Sequence, residues 1–225
     1  MLESQVLEPK GLTDPYLVLD LPLWDLDGSS FKSRDRFGHL CTVTGATWGL
    51  QGRKGDGIDD RIVLPSSTAL FPAQCTWFTW VKFNVVNDTM FFMSTDAAGG
   101  NAGDFGLAFN DGDDKVHLYG YDTGSIDVVS DNACVAGTWY CFAVLFGTGG
   151  IKYYIATNTT SFALQADSDV STQAPAETQL LTLMAQRPDG SNALNGIQGD
   201  TVIKSRRLSI IELNNLWQET KGRYT

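Results

Sequence analysis

The chain has 225 residues, 43% of them hydrophobic and 11% aromatic, which supports a sizeable core and excludes a disordered chain. Twenty-three glycines against 19% charged residues point to many turns and few surface helices, and so to an all-β domain. Sixteen Lys and Arg against 26 Asp and Glu leave a net charge of −10, which repels phosphate backbones and anionic lipid heads and sets nucleic acid and membrane insertion aside.

In chain order, residues 1–15 mix charge with Pro9, Gly11 and Pro15 without periodicity and read as an N-terminal arm. Such an arm is either a loosely packed tail or a segment that docks to a partner, for instance a capsid or other particle protein. The start lacks a basic stretch followed by an apolar one, so it does not read as a secretory signal. The expectation is synthesis in the cytoplasm, with a virion-associated or extracellular place after release. No linker or repeat interrupts residues 16–225, which are expected to form one domain.

Thr76–Val85 carries large apolar side chains on both alternating faces, Phe78 and Trp80 on one, Trp77, Val81, Phe83 and Val85 on the other. That pattern predicts a central strand covered on both sides. Phe105–Phe109 and Lys115–Tyr121 flank an Asp-Gly turn and predict a hairpin. Further strands are expected over Trp139–Phe146, Ile151–Ala156, Leu180–Ala185 and Ile197–Lys204. Many β segments without helical patterning predict a sandwich of two antiparallel sheets.

Near the C-terminus, Ser209-Ile-Ile-Glu212 is a capping box flanked by Leu208 and Leu213 at the staple positions. The helix it opens is expected to lay Ile210, Leu213, Leu216 and Trp217 against the sandwich. Lys221, Gly222 and Arg223 are expected to end it, the cations facing the negative helix end and the glycine stopping the turn. Cys41, Cys75, Cys134 and Cys141 lack C-x-x-C spacing and sit among β-prone residues, so free, buried thiols are expected rather than disulfides.

Several of these segments together resemble the concanavalin A-like lectin/glucanase superfamily, in its laminin-G-like or pentraxin-like branch. The carriers are Thr44-Gly-Ala-Thr-Trp48, the stretch Gly52–Val63 with its Asp-Gly-Ile-Asp-Asp, Phe78–Lys82, Gly137–Val144, Ile151–Ile155, Asn195–Ile203 and Arg207–Leu213. Cys141 and Thr201 depart from the residues common at their positions. The resemblance implies a jelly-roll sandwich with a binding surface on one sheet or its rim loops, and often a structural calcium ion. Lectins, glycan hydrolases, adhesion modules and virion surface proteins all share this fold, so the fold does not choose among them.

Hydrolysis by a glucanase of this kind needs paired glutamates on one strand. The five glutamates, Glu3, Glu8, Glu177, Glu212 and Glu219, form no such pattern, so no enzymatic activity is expected. For calcium, Asp56, Asp59 and Asp60 resemble an oxygen-rich turn, the alternative being turns held by side-chain hydrogen bonds to their own backbone. For a glycan or protein partner, His117, Tyr119 and Tyr121 point opposite to Val116 and Leu118, with Asp122 beside them; the alternative is a second packed face. The expected function is a non-enzymatic, lectin-like recognition domain, glycan-binding and displayed on a virion or other particle. The rivals are a structural decoration protein of a phage and a polysaccharide hydrolase.

Overall fold

The structure, a computed structural model, describes residues 14–95, 101–121, 124–165, 169–176 and 180–225. Of the expected arm only Asp14 and Pro15 fall among the described residues.

The strands in chain order are β1 Leu17–Leu21, β2 Ser30–Lys32, β3 Leu40–Thr44, β4 Thr47–Gly49, β5 Gly52–Asp56, β6 Arg61–Leu64, β7 Cys75–Phe83 and β8 Met90–Ser94. They continue with β9 Phe105–Asn110, β10 Lys115–Tyr121, β11 Ser125–Val129, β12 Trp139–Phe146, β13 Lys152–Thr157, β14 Ala163–Leu164, β15 Leu181–Leu183 and β16 Asn195–Lys204. They form the expected two antiparallel sheets. The first runs β14-β13-β12-β7-β16-β5-β4 with β1 also on β16, and the second runs β11-β10-β9-β8-β15-β6-β3-β2. The ten residues of β16 serve two neighbours on one edge, Asn195–Gln198 pairing with β5 and Thr201–Lys204 with β1.

Strand β7 is the central strand that its sequence predicts. Trp77, Val81 and Phe83 enter the core between the sheets, while Phe78 and Trp80 enter a second cluster on the outside of the first sheet. Phe83 anchors the inner layer, with ring centroids 5.3 Å from Phe109, 5.9 Å from Phe92 and 6.4 Å from both Tyr140 and Phe142. These distances suit tilted aromatic packing, which adds to the burial of the rings themselves.

The outer cluster is sealed by α1, Ile210–Thr220. Its capping box forms as predicted: Glu212 N–H donates to Ser209 Oγ at 3.3 Å, and Ser209 N–H donates to Glu212 Oε2 at 2.8 Å. Leu213 and Trp217 are buried as predicted and Leu216 packs against the cluster; Thr220 joins them, while Ile210, 40% exposed, stands outside the buried face. Trp217 Nε1 reaches the Thr157 carbonyl at 2.7 Å, and Trp80 Nε1 donates to Thr220 Oγ1 at 2.9 Å. These two bonds turn the helix so that Ile210 faces outward.

The helix end also differs from expectation. Gly222 does not adopt a left-handed conformation; the chain passes into a 3₁₀ turn, Lys221–Arg223, that delivers Tyr224 into the outer cluster. The Tyr224 ring stacks on Trp80 with centroids 4.5 Å apart, and its hydroxyl accepts from Asp200 N–H at 2.6 Å. A Cβ on Gly199 would lie 2.4 Å from that hydroxyl oxygen, so a glycine is required there. All four cysteines are free and buried, as read from the sequence. Burial pushes the Cys41 and Cys134 thiols up to about 12.

Two expectations follow. Phe83→Ala should remove about 3–5 kcal/mol of stability, seen as a lower urea midpoint with an unchanged m-value. Glu212 is held down to about 2, first by its hydrogen bond from Arg206 and then by those from Ser209. A carboxyl lowered in the folded state contributes stability above its ordinary value near 4.5 and loses it as pH falls toward about 2. Glu212→Gln should therefore flatten the pH dependence of the melting temperature in that window and leave it unchanged in shape above pH 5.

Candidate binding face

Among the described residues no helix lies on the outer face of the second sheet; α1 covers the other one. Alternation along β8–β11 decides which side chains stand there. Val116, Leu118, Phe105, Leu107, Ile126 and Val128 belong to the core, so His117, Tyr119 and Tyr121 point outward as the sequence predicts. Directly opposite residues of an antiparallel pair share a face. Tyr119 therefore has Gly106 on one side and Asp127 on the other, and Tyr121 has Ser125.

These residues shape a groove of about 280 Å³, lined by Phe91, Gly106, Tyr119, Tyr121, Ser125 and Gln186, with Asp104 at one end. Gly106 lets the Phe91 ring lie close against the strand: a Cβ there would stand 2.6 Å from Cε1 of Phe91. The rings of Phe91, Tyr119 and His117 form a row, Phe91 to Tyr119 at 6.0 Å and Tyr119 to His117 at 5.1 Å with only 22° between the latter two planes.

His117 belongs to the stripe but is not an exposed contact residue. It is 6% exposed, with Nδ1 at 2.7 Å from Asp127 Oδ1 and Nε2 at 3.1 Å from Asp113 Oδ2. The imidazole thus backs Tyr119 and is itself fixed by two carboxylates from the hairpin turn and the neighbouring strand. The Tyr119 hydroxyl accepts from Asn110 Nδ2 at 2.6 Å. Burial raises the Tyr119 phenol, the Asn110 bond opposes this, and the carboxylates of Asp127, Asp113 and Asp111 raise it further. Asp122 lies outside the described residues.

The three candidate calcium ligands take part in a turn. Asp60 Oδ2 accepts from Asp56 N–H at 2.8 Å and Asp56 Oδ1 accepts from Ile58 N–H at 2.9 Å, while Asp59 offers its carbonyl to Arg61 at 2.8 Å. Asp60 packs against Gly45, where a Cβ would sit 1.8 Å from Oδ1. Among the described residues no three His, Cys, Asp or Glu side chains gather as a metal-holding group.

A larger cavity of about 680 Å³ lies on the opposite side, between β1, the end of β16 and α1. Its charges answer one another: Lys204 pairs with Asp14, Arg206 with Glu212, and Arg223 with Asp200 at 3.1 Å. Trp24 Nε1 also donates to Asp200 at 2.8 Å, and burial holds the Asp200 carboxyl above its ordinary value. The smaller groove instead offers rings and polar groups on the sheet face that no described helix covers, which makes it the better candidate despite its size.

Phe91, Gly106, Ser125 and Gln186 escaped the sequence reading. A family model described as "Concanavalin A-like lectin/glucanases superfamily", Laminin_G_3, matches residues 56–212. The chain belongs to this superfamily. Comparison with curated proteins gave no match. Among solved structures, domain 4 of AbnA, an extracellular arabinanase from Geobacillus stearothermophilus in complex with arabinotriose, superposes with TM-score 0.69 at 17% identity, over 90% of this chain and 98% of that one. Trypanosoma rangeli sialidase in complex with sialic acid gives 0.68 at 16% identity, over 93% of this chain and 34% of that one. The receptor-binding domain of botulinum neurotoxin D gives 0.67 at 10% identity, over 91% and 52% respectively. The chain thus spans about a third of the sialidase it matches, and at these identities the likeness is one of fold. Within this concanavalin A-like domain the described glutamates, Glu212 and Glu219, both sit on α1, away from the groove.

His117→Ala should leave Asp113 and Asp127 without their shared imidazole partner and Tyr119 without its stacking partner. A loss of about 1–2 kcal/mol in urea denaturation is expected, the ion-pair part reduced because both carboxylates are partly exposed.

Proposed function

We propose that this chain is a non-enzymatic saccharide-binding domain whose contact surface is the groove beside Phe91 and Tyr119. The observation that carries this reading is the row of rings beside the groove, on the sheet face that no described helix covers. A pyranose or furanose ring presents an apolar C–H face and a rim of hydroxyls. The Tyr119 and Tyr121 rings suit the first; the Ser125 hydroxyl and the Gln186 amide suit the second. The fold shared with an arabinanase domain crystallised with arabinotriose supports the same reading. Retaining hydrolysis needs two carboxyl groups about 5–5.5 Å apart. Asp113 and Asp127 are both engaged with His117, and Asp104 is the only carboxylate among the described groove-lining residues, which favours binding over bond cleavage.

Tyr119→Ala and Tyr121→Ala should each weaken saccharide binding by about tenfold or more, read by calorimetry against a panel of neutral oligosaccharides, with an unchanged circular-dichroism spectrum. Gly106→Ala should act in the same direction by displacing Phe91. No new reducing ends should appear on prolonged incubation with the panel. Full affinity in the Tyr119 variant would remove the groove from consideration, and cleavage of any panel member would replace the binding role with an enzymatic one.

A further inference from the structure

The groove's surroundings bear on which saccharides it can accept. Its described lining contains a carboxylate, Asp104, and no Lys or Arg. Asp113 and Asp127 flank the His117 end of the ring row with side chains 40% and 49% exposed, so their charge reaches solvent over Tyr119. Asp111, at the same hairpin turn, acts on the Tyr119 phenol together with these two.

Lys115 and Arg187 are the cations adjacent to groove elements in sequence. Lys115 shares the outward face of β10 but stands four residues from Tyr119, about 13 Å along the strand. Arg187, next to Gln186 in sequence, already has a partner within the chain. Recognition of a sugar carboxylate or sulfate rests on guanidinium or ammonium groups aimed at the anion. Here an anionic substituent would meet several carboxylates.

We infer that the groove selects uncharged saccharides and rejects sialylated, uronic or sulfated ones. This rests on the binding role proposed above and adds to it a charge filter, with the partly exposed carboxylates of Asp113 and Asp127 as the specificity-determining residues.

The test measures matched sets by calorimetry on the full chain: neutral oligosaccharides, and the same molecules carrying a sialic acid, a uronic acid or a sulfate. At about 20 mM salt the neutral member should bind at least about tenfold more tightly than its anionic counterparts, and the gap should shrink by several-fold near 0.5 M salt as screening shortens the field. The double substitution Asp113→Asn with Asp127→Asn should narrow the low-salt gap. Should that variant fold poorly, the salt series on the unaltered chain decides by itself. Anionic members binding as tightly as neutral ones at low salt, or a gap indifferent to salt, would overturn the charge filter while leaving the binding role standing. Absence of binding by every member would overturn both.

Discussion

Phe83 stands where rings from both sheets meet, with Phe92 and Phe109 from one side and Tyr140 and Phe142 from the other. Rings of this size bury large apolar areas and set the spacing of the two layers, so every strand must present its apolar alternate to that layer. Once the inner faces are committed, the outer faces differ. The first sheet carries Phe78, Trp80, Trp139 and Val202 outward and needs a cover, which α1 and Tyr224 supply. The second turns Thr182, Ser94, Gly106 and the Tyr119 row outward; Thr182, Ser94 and Gly106 are buried there without a described helix over them, while Tyr119 and Tyr121 keep partial exposure.

That asymmetry explains why the larger cavity is the less informative one. It is the seam where α1 meets the sheet, and its ion pairs fasten the seam. The groove on the other face has rings held from behind. His117 packs on Tyr119 and is held in turn by Asp113 and Asp127, so the ring row is fixed by contacts within the chain.

The sequence revealed the parts of this molecule that announce themselves locally. An uninterrupted aromatic run marks β7, an Asp-Gly turn between alternating segments marks the β9–β10 hairpin, and Ser209 with Glu212 marks the start of α1. Features set by distant partners were harder to read. Met90-Phe-Phe-Met93 is apolar throughout, and only the register shift between Phe91 and Met93 against β9 settles which phenylalanine faces outward. Gly52–Asp56 looks like a polar turn, yet it forms β5 with Arg53 buried and donating to the carbonyls of Leu26, Gly28 and Ala46. Alternation placed His117 outward correctly but could not show that carboxylates ten and four residues away would enclose it.

The position of β16 has a consequence for how the chain is made. This strand lies between β7 on one side and β5 and β1 on the other, pairing Lys204 with Leu17 and with Thr76. Until residues 195–204 leave the ribosome, β7 and β5 each present a bare hydrogen-bonding edge, and β7 adds Phe78 and Trp80 to it. Contacts so distant in sequence slow folding and prolong the interval in which such edges can join another chain. Nascent polypeptides of this design thus depend on being shielded, by a chaperone or by low local concentration, for most of their translation.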